Sequence, residues 1–429
     1  MPRSFSHVVY GGAHLFSRRT PEKLGELALA AWERLARSED DLRASFGERS
    51  GDVYARADKM LRTRPVMDIR IDFEDGYGLR SEEEETADAA RTGKELAAVV
   101  SAAAAAGSRT ITRGPAFGVR IRALRPGAQA RSVRVLDAFC THLVEAGGTV
   151  PADFVVTLSK VRSKMEVAAL VLALGALEAR LGLLRIDVEL MAETRESADA
   201  AELSSWLSAA EGRARSLHLG AYDFLSELGV LARSHRLHHP YTDALRTAMK
   251  LATAGTDVDV FDGATTLLPI DGGRRKDAAP LAPDLERTSR MHVHAAFAAH
   301  VRDVAESLDK GFHASWILHP AQLVSHAVAQ AAFYVEELRA SQTRLANFVA
   351  ESSRATAVGT SFDDRATARG LVAFFARGLA ASVLTKDDLG VLAPFEALIR
   401  AGDVDGLAAA TVSADHAGTG TEPARPRGG

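Results

Sequence analysis

The sequence alternates eight times between short apolar runs rich in β-branched residues and longer stretches with helical periodicity. The apolar runs are residues 8–10, 66–73, 117–124, 154–158, 184–192, 217–221, 258–261 and 316–318. Strands that alternate with helices favour a parallel sheet, because the helix returns the chain to the start of the next strand. Eight such units predict an α/β fold, the (β/α)8 TIM barrel, which needs about 250 residues.

An open, doubly wound sheet is the alternative arrangement for the same order of elements. The turn after the first strand reads Gly11-Gly-Ala-His14. It lacks the Gly-x-Gly-x-x-Gly pattern that places a phosphate at the start of a helix in many open sheets. We therefore favour the barrel.

The chain of 429 residues is longer than a barrel alone requires. Residues 38–64 are charged and helical in pattern, and they predict an inserted helical segment after the first strand. We expect a barrel domain over residues 1–325 and a helical C-terminal extension over residues 326–411. The small and polar residues 412–429 predict a disordered tail.

Composition narrows the class of protein. A formal net charge of −4 gives no sign of attraction to nucleic acid or to a membrane surface. The single cysteine, Cys140, excludes an internal disulfide and a site with several cysteine ligands. The N-terminus lacks the apolar segment of a signal peptide, and the apolar stretch 167–177 is too short to span a membrane. We expect a cytoplasmic protein.

Charged residues stand at the ends of most predicted strands, where the active site of a TIM barrel lies. They are Asp72, Glu74, Asp75, Arg120, Arg122, Lys160, Glu193 and Asp223. Glu193 and Asp223 are about one βα repeat apart, so they are expected to be neighbours on the rim. Two carboxylates suit Mg²⁺, whose other positions are filled by water and substrate. A helix-capping or solvated role for each residue alone is the alternative.

A divalent cation beside an arginine favours one kind of chemistry. The cation can polarise a keto oxygen as a Lewis acid. An arginine near the same oxygen stabilises the negative charge that develops there. Together they suit an enzyme that makes or breaks a carbon–carbon bond next to a carbonyl.

Five short motifs occur in order along the chain: Asp72-Phe-Glu-Asp, Val-Arg120-Ile, Met-Ala-Glu193-Thr, Gly-Ala-Tyr-Asp223 and Leu318-His-Pro-Ala-Gln. In this order and spacing the chain resembles the HpcH/HpaI aldolase superfamily, and within it the branch of citrate lyase β-subunits and malyl-coenzyme A lyases. The resemblance implies an Mg²⁺-dependent carbon–carbon lyase that acts through an enolate. Its substrate would be a small 2-oxo acid or a hydroxyacyl compound, with a coenzyme A thioester as one form.

The resemblance also implies residue roles. Glu193 and Asp223 match the Mg²⁺ ligands, and Arg120 matches the arginine that contacts the oxo-acid and its enolate. Gly220 matches a glycine that lets the substrate approach the backbone. Arg122 replaces an asparagine of the family and is expected to share a strand face with Arg120, since residues i and i+2 point the same way. There it would add a cation that binds substrate, or would instead pair with Glu74 or Asp75.

Other matches correspond to residues that surround the metal ligands of the family. Asp72, Glu74 and Asp75 correspond to carboxylates around the metal and its waters, and Lys160 corresponds to a lysine beside them. Asp364 resembles an aspartate that acts as acid or base in the site of a neighbouring subunit, and an N-cap for a helix that begins near Arg365 is the alternative role. This match implies a homo-oligomer, a trimer or a hexamer.

Two other functions stay open at this level. The same scaffold serves phosphoenolpyruvate or pyruvate chemistry, with phosphoryl transfer or hydrolysis. A barrel that binds a metabolite without catalysis is the non-enzyme alternative. Residues 9–16 depart from the family's pattern near its coenzyme A site, so the resemblance leaves the use of coenzyme A open.

Overall fold

The computed structural model describes residues 5–47, 51–105, 115–151, 153–270, 283–352 and 365–410. Within these ranges, no helix combines the length and the apolar character that crossing a membrane requires. The described residues up to Ala329 form one compact unit, and those from Gln330 onward form another.

The first unit contains a closed barrel of eight parallel strands, which confirms the predicted (β/α)8 fold. The strands are β1 (His7–Gly12), β2 (Asp68–Asp72), β3 (Ala116–Ile121), β4 (Val155–Leu158), β5 (Asp187–Ala192), β6 (Ala214–Leu219), β7 (Asp259–Ala264) and β8 (Ala314–Ile317). Each strand pairs with the next along the chain, and β8 pairs with β1 to close the barrel. All eight carboxyl ends therefore meet at one mouth.

Helices follow the strands. Those of the first unit are α1 (Thr20–Leu35), α2 (Glu39–Phe46), α3 (Gly51–Thr63), α4 (Glu82–Ala105), α5 (Gln129–Glu145), α6 (Lys164–Leu181), α7 (Ala200–Ala209), α8 (Ala221–Glu227), α9 (Pro240–Thr253) and α10 (Pro283–Asp309). Helix α11 (Gln322–Ser352) begins in this unit and continues into the second. Helices α2 and α3 lengthen the first βα unit, and α2 is capped by Ser38, whose side chain accepts a hydrogen bond from the Asp41 amide.

The second unit is helical in its described part and continues from α11 through α12 (Arg365–Ala380) to α13 (Glu396–Ala401). It has an apolar core of its own, in which the rings of Tyr334 and Phe374 lie 4.9 Å apart and Phe375 is buried.

Charged side chains fill part of the barrel interior. Arg70 on β2 donates to Glu189 on β5 at 2.8 Å and to Asp68 at 2.8 Å. Glu189 also accepts from Thr157 on β4 at 2.7 Å and from Ser216 on β6 at 3.0 Å. All five side chains are buried, and their hydrogen bonds satisfy charges that would be costly to bury alone.

Three buried histidines lie near the amino-terminal start of β1. His7 accepts from the Met67 amide at 3.2 Å, His300 lies 2.6 Å from the Ser325 hydroxyl, and the rings of His7 and His326 meet edge to face at 5.0 Å. Burial lowers the pKa of His7 and of His300 to about 3, with the charge of Arg64 adding to the effect at His7. Burial and the two neighbouring histidines lower the pKa of His326 as well. The folded protein therefore holds all three neutral.

This cluster predicts a loss of stability in acid. The unfolded chain binds protons at these imidazoles below a pKa of about 6.5, whereas the folded chain does not bind them until about pH 3. The contribution of these histidines to the free energy of unfolding is therefore fully present above pH 6.5. It falls as the pH drops toward 3, by up to about 1.4 kcal/mol per pH unit for each histidine. We expect His300→Gln to flatten the fall of the urea midpoint between pH 7 and pH 4. His292→Gln, an exposed position on the same helix, should keep the wild-type slope, and equal slopes in all three proteins would contradict the prediction.

Candidate active site

Asp72, the last residue of β2, organises the mouth of the barrel. Its Oδ1 accepts from Arg120 Nε at 2.7 Å and from the Glu74 amide at 2.9 Å, and its Oδ2 accepts from the Gly76 amide at 2.8 Å. A second nitrogen of Arg120 donates to Oδ2 as well. Asp72 and Arg120 are paired in the register of β2 and β3, so the parallel sheet itself brings them together.

The other side of the Arg120 guanidinium lies against two aromatic rings. Its carbon is 5.0 Å from the ring centre of Tyr10 and 5.8 Å from that of Trp316, and the two rings stack 4.4 Å apart. Among the residues that the structure describes, Arg120 Nη1 makes only long contacts, 3.5 Å to Glu74 Oε2 and 3.8 Å to the Met191 sulfur. Because Asp72 holds the other two nitrogens, Nη1 is the donor best placed for a bound anion.

Tyr10 is fixed from beneath by the polar interior of the barrel. Its hydroxyl lies 3.2 Å from Nδ1 of His218, whose Nε2 lies 3.0 Å from the hydroxyl of Ser216. Ser216 in turn donates to Glu189. Sequence reasoning missed Tyr10 and Trp316, because their positions in apolar strands are also typical of core residues; the inward alternation of β1 is the only signal that pointed to Tyr10.

Glu193 and Asp223 reach the same cavity from adjacent strands. Glu193 follows β5 directly and is 2% exposed, while Asp223 lies in the first turn of α8 with its side chain 42% exposed. Burial raises the pKa of Glu193 to about 8, and the negative charge of Asp223 adds to the rise against the opposing charges of Arg120 and Lys160. The two carboxylates therefore lie close enough to repel each other, an arrangement that a cation relieves.

Lys160 carries positive charge into this group. Its Nζ lies 2.6 Å from Glu74, 3.1 Å from Asp75 and 3.4 Å from Asp223, and its backbone amide donates to Glu193 at 2.5 Å. Its φ of +50° is rare for a residue with a side chain, and it aims both groups at the carboxylates. Burial alone would lower the pKa of Lys160, but the hydrogen bond and charge of Glu74, with the charges of Glu193 and Asp223, raise it above its usual value. Lys160 therefore stays an ammonium, which cannot attack a carbonyl as a free amine does.

Gly220, between β6 and α8, is required by the position of Glu193. A Cβ at this residue would lie 2.4 Å from both Cβ and Oε2 of Glu193. Gly220 also lines the cavity. The absence of a side chain there leaves room for the buried carboxylate.

The donor set suits a hard divalent cation. Within the described ranges, no group of three or more histidine, cysteine, aspartate or glutamate side chains is arranged to hold a metal. Mg²⁺, however, commonly takes only one or two protein carboxylates and completes its shell with water and substrate. Glu193 and Asp223 match that requirement, since both line the cavity, and burial, with the charge of Asp223 adding to it, raises the pKa of Glu193 in the absence of a cation.

Arg122 lies elsewhere than expected. Its Nε donates to Glu85 of α4 at 3.2 Å and its Nη2 donates to the Gly78 carbonyl at 3.2 Å. The expectation that Arg122 shares a face with Arg120 was wrong, because β3 ends at Ile121 and the alternation of side chains ends with it. The alternative expectation, that Arg122 pairs with Glu74 or Asp75, was also wrong, because its carboxylate partner is Glu85. Asp364 lies outside the described residues.

The site opens into a cavity of about 730 Å³. Five charged lining residues come from the ends of β2, β3, β5 and β6 and from the segments after them, namely Asp72, Asp75, Arg120, Glu193 and Asp223, and Lys23 of α1 lines the cavity as well. Much of the remaining wall is apolar.

Comparison with known proteins gives a family but no assigned activity. The model of a family described as "Domain of unknown function (DUF6986)" matches residues 2–400. No curated protein matches the chain. Among solved structures, malate synthase from Haloferax volcanii as a lead(II) complex is 13% identical, with 96% of this chain and 99% of that chain covered and a TM-score of 0.46. Its pyruvate/acetyl-CoA ternary complex is 14% identical, with the same coverage and a TM-score of 0.47. The barrel assignment rests on the strand pairing of this chain, since TM-scores this low do not establish a shared fold.

The close approach at Gly220 gives a prediction. The added Cβ of Gly220→Ala would collide with both Cβ and Oε2 of Glu193, so the backbone must shift as well as the carboxylate. We therefore expect the free energy of unfolding to fall by about 1–3 kcal/mol. Gly175→Ala in α6, where an added Cβ has open space, is the matched control and should stabilise by about 0.5–1 kcal/mol. Urea unfolding followed by circular dichroism measures both, and an unchanged stability in Gly220→Ala would contradict the packing described here.

Proposed function

Since the chain belongs to the DUF6986 family, whose description assigns no activity, we propose from its site that it is a divalent-metal-dependent enzyme acting beside the carbonyl of a 2-oxo acid. It would cleave or form a carbon–carbon bond, as an aldolase or lyase does. The observation that carries the proposal is the position of Arg120, oriented by Asp72 next to the mutually repelling carboxylates Glu193 and Asp223. The motif resemblance to HpcH/HpaI aldolases supports the same chemistry.

The chain's own residues have distinct tasks in this proposal. Glu193 and Asp223 would hold Mg²⁺, which when bound draws electrons from a carbonyl oxygen. Arg120 Nη1 would bind the oxo-acid and stabilise the negative charge of its enolate, at no cost of reorganisation because Asp72 has already set its position. Lys160 would remain charged and hold Glu74 and Asp75 in place.

The proposed reaction balances without a further reactant. In cleavage, a 4-hydroxy-2-oxo acid gives its hydroxyl proton to a base, the bond between C3 and C4 breaks, and its electrons form the enolate of the smaller oxo-acid. An aldehyde leaves, and a proton returned to the enolate carbon completes the oxo-acid. We assign the base to Asp364, supplied by a neighbouring subunit of a trimer or hexamer, on the motif resemblance alone.

The metal assignment is tested first. We expect MgCl₂ or MnCl₂ to raise the thermal midpoint of the wild-type chain, by mass action on the folded state. Glu193→Gln and Asp223→Asn should abolish this shift, together with release of pyruvate from a panel of 4-hydroxy-2-oxo acids and hydroxyacyl thioesters. Glu145→Gln, an exposed carboxylate that does not line the cavity, is the control and should behave as wild type. Turnover by Glu193→Gln at the wild-type rate would overturn the assignment.

Two arginines two positions apart give a matched test of the anion site. Lysine cannot reproduce the two parallel hydrogen bonds to Asp72, so Arg120→Lys should lower kcat/KM about 100-fold or more. Arg122→Lys changes a side chain that pairs with Glu85 outside the cavity, and it should leave kcat/KM within a few-fold of wild type. Retained magnesium binding would show that Arg120→Lys is folded, and equal losses in the two variants would rule out a special role for Arg120.

A further inference from the structure

The cavity is larger than the proposed oxo-acid needs. Its volume of about 730 Å³ would hold roughly two dozen water molecules at about 30 Å³ each. Pyruvate has six non-hydrogen atoms and fills only a small part of such a space. The remaining volume needs an occupant, or else it exposes apolar wall to water.

The charged and apolar walls come from different sides of the barrel. Asp72, Asp75, Arg120, Glu193 and Asp223 come from the ends of β2, β3, β5 and β6 and from the turns or helices that follow them, whereas a group of leucines, together with Lys23, comes from the segments that follow β1 and β8. Since β8 pairs with β1, these leucines share one side of the mouth. We call this side the apolar arm and define it by Leu15, Leu24, Leu27 and Leu318.

Helix α1 buries one face in the fold and turns a second face, which carries two leucines, toward the cavity. Its buried residues are Gly25, Ala28, Ala31 and Trp32. The residues that line the cavity are Thr20, Lys23, Leu24 and Leu27, the i, i+3, i+4 and i+7 spacing of a second helical face. Leu27 is 47% exposed, and Leu15 in the preceding turn is 71% exposed. Large apolar side chains gathered on a cavity wall mark a binding surface more often than scattered surface leucines do.

We propose that the apolar arm binds the apolar chain of the substrate, so that this enzyme acts on 4-hydroxy-2-oxo acids that carry an aliphatic or aromatic group beyond C4. The inference rests on the proposed function, because it is the charged end of the same cavity that would hold the oxo-acid. The leucines determine specificity and take no part in bond breaking. They act by removing the apolar chain from water, which contributes in proportion to its length.

The test uses the reverse reaction with known reagents. Pyruvate and a series of straight-chain aldehydes, from acetaldehyde to octanal, are incubated with the protein and MgCl₂, and loss of pyruvate is followed. The enolate carbon of pyruvate forms the new bond to the aldehyde carbon, and the aldehyde oxygen takes the proton. We expect kcat/KM to rise about threefold for each added methylene until the arm is filled.

Variants at exposed positions separate the arm from folding. Leu15→Gln combined with Leu27→Gln should lower kcat/KM for octanal about tenfold more than kcat/KM for acetaldehyde, because only the longer chain extends along the arm. Leu172→Gln on α6, 75% exposed and outside the cavity lining, is the matched control and should keep the wild-type dependence on chain length. Turnover that does not depend on chain length, with the double variant equal to wild type, would overturn the arm and leave the proposed function standing.

A binding measurement distinguishes failure of the arm from failure of the chemistry. The fluorescent dye anilinonaphthalene sulfonate, added without metal, should bind wild type and Leu172→Gln alike, be displaced by octanol, and bind the double variant more weakly. If no aldehyde is turned over but the dye behaves in this way, the proposed function fails and the arm stands. If the dye is unaffected by the double variant, or is displaced by acetyl-coenzyme A and not by octanol, the proposal of an apolar chain is wrong.

Discussion

The buried ion pair between Asp72 and Arg120 is the interaction on which the rest of the site depends. Both side chains are almost inaccessible to solvent, so removing either one would leave an uncompensated charge, at a cost of about 3–5 kcal/mol. The pair links β2 to β3, and Asp72 also fixes the turn through the Glu74 and Gly76 amides. One carboxylate thus sets the direction of the guanidinium and the shape of the loop that carries Glu74, so the site is organised before a ligand arrives.

A second layer of buried charged residues lies below the Asp72–Arg120 pair in the barrel interior. Arg70 and Glu189 lie one side-chain repeat further from the mouth, and the hydrogen-bonded series Glu189, Ser216, His218 leads up to Tyr10 beneath Arg120. Apolar residues of similar volume would stabilise the barrel at least as well as these ion pairs do. A network of directional hydrogen bonds instead restricts the positions of the side chains above it, because it allows few arrangements of the aromatic rings and of the Arg120 guanidinium. We therefore interpret the polar interior as support for the geometry of the mouth.

The sequence was most informative where a single periodicity decides the outcome. Eight alternating units were enough for the barrel, and the position of Glu193 after a strand was enough to place it at the mouth. The position of Arg122 was predicted wrongly because β3 ends at Ile121, one residue before it. A run such as Val-Arg-Ile-Arg does not show at which residue the strand ends. The contact between the Tyr10 ring and Arg120 could not be predicted, because two residues so far apart in the chain leave no signal in the local sequence pattern. The metal and the role of Asp364 remain predictions.

The charge of Lys160 bears on the mechanism that we propose for the mouth of the barrel. A lysine in a barrel that handles oxo-acids invites a Schiff-base mechanism, which requires a neutral amine. Such amines are produced by apolar burial or by nearby cations, both of which lower the pKa. Here Glu74, Asp75 and Asp223 surround the ammonium and have the opposite effect. In the proposed mechanism, activation of the carbonyl therefore falls to Arg120 and to the cation that Glu193 and Asp223 would hold.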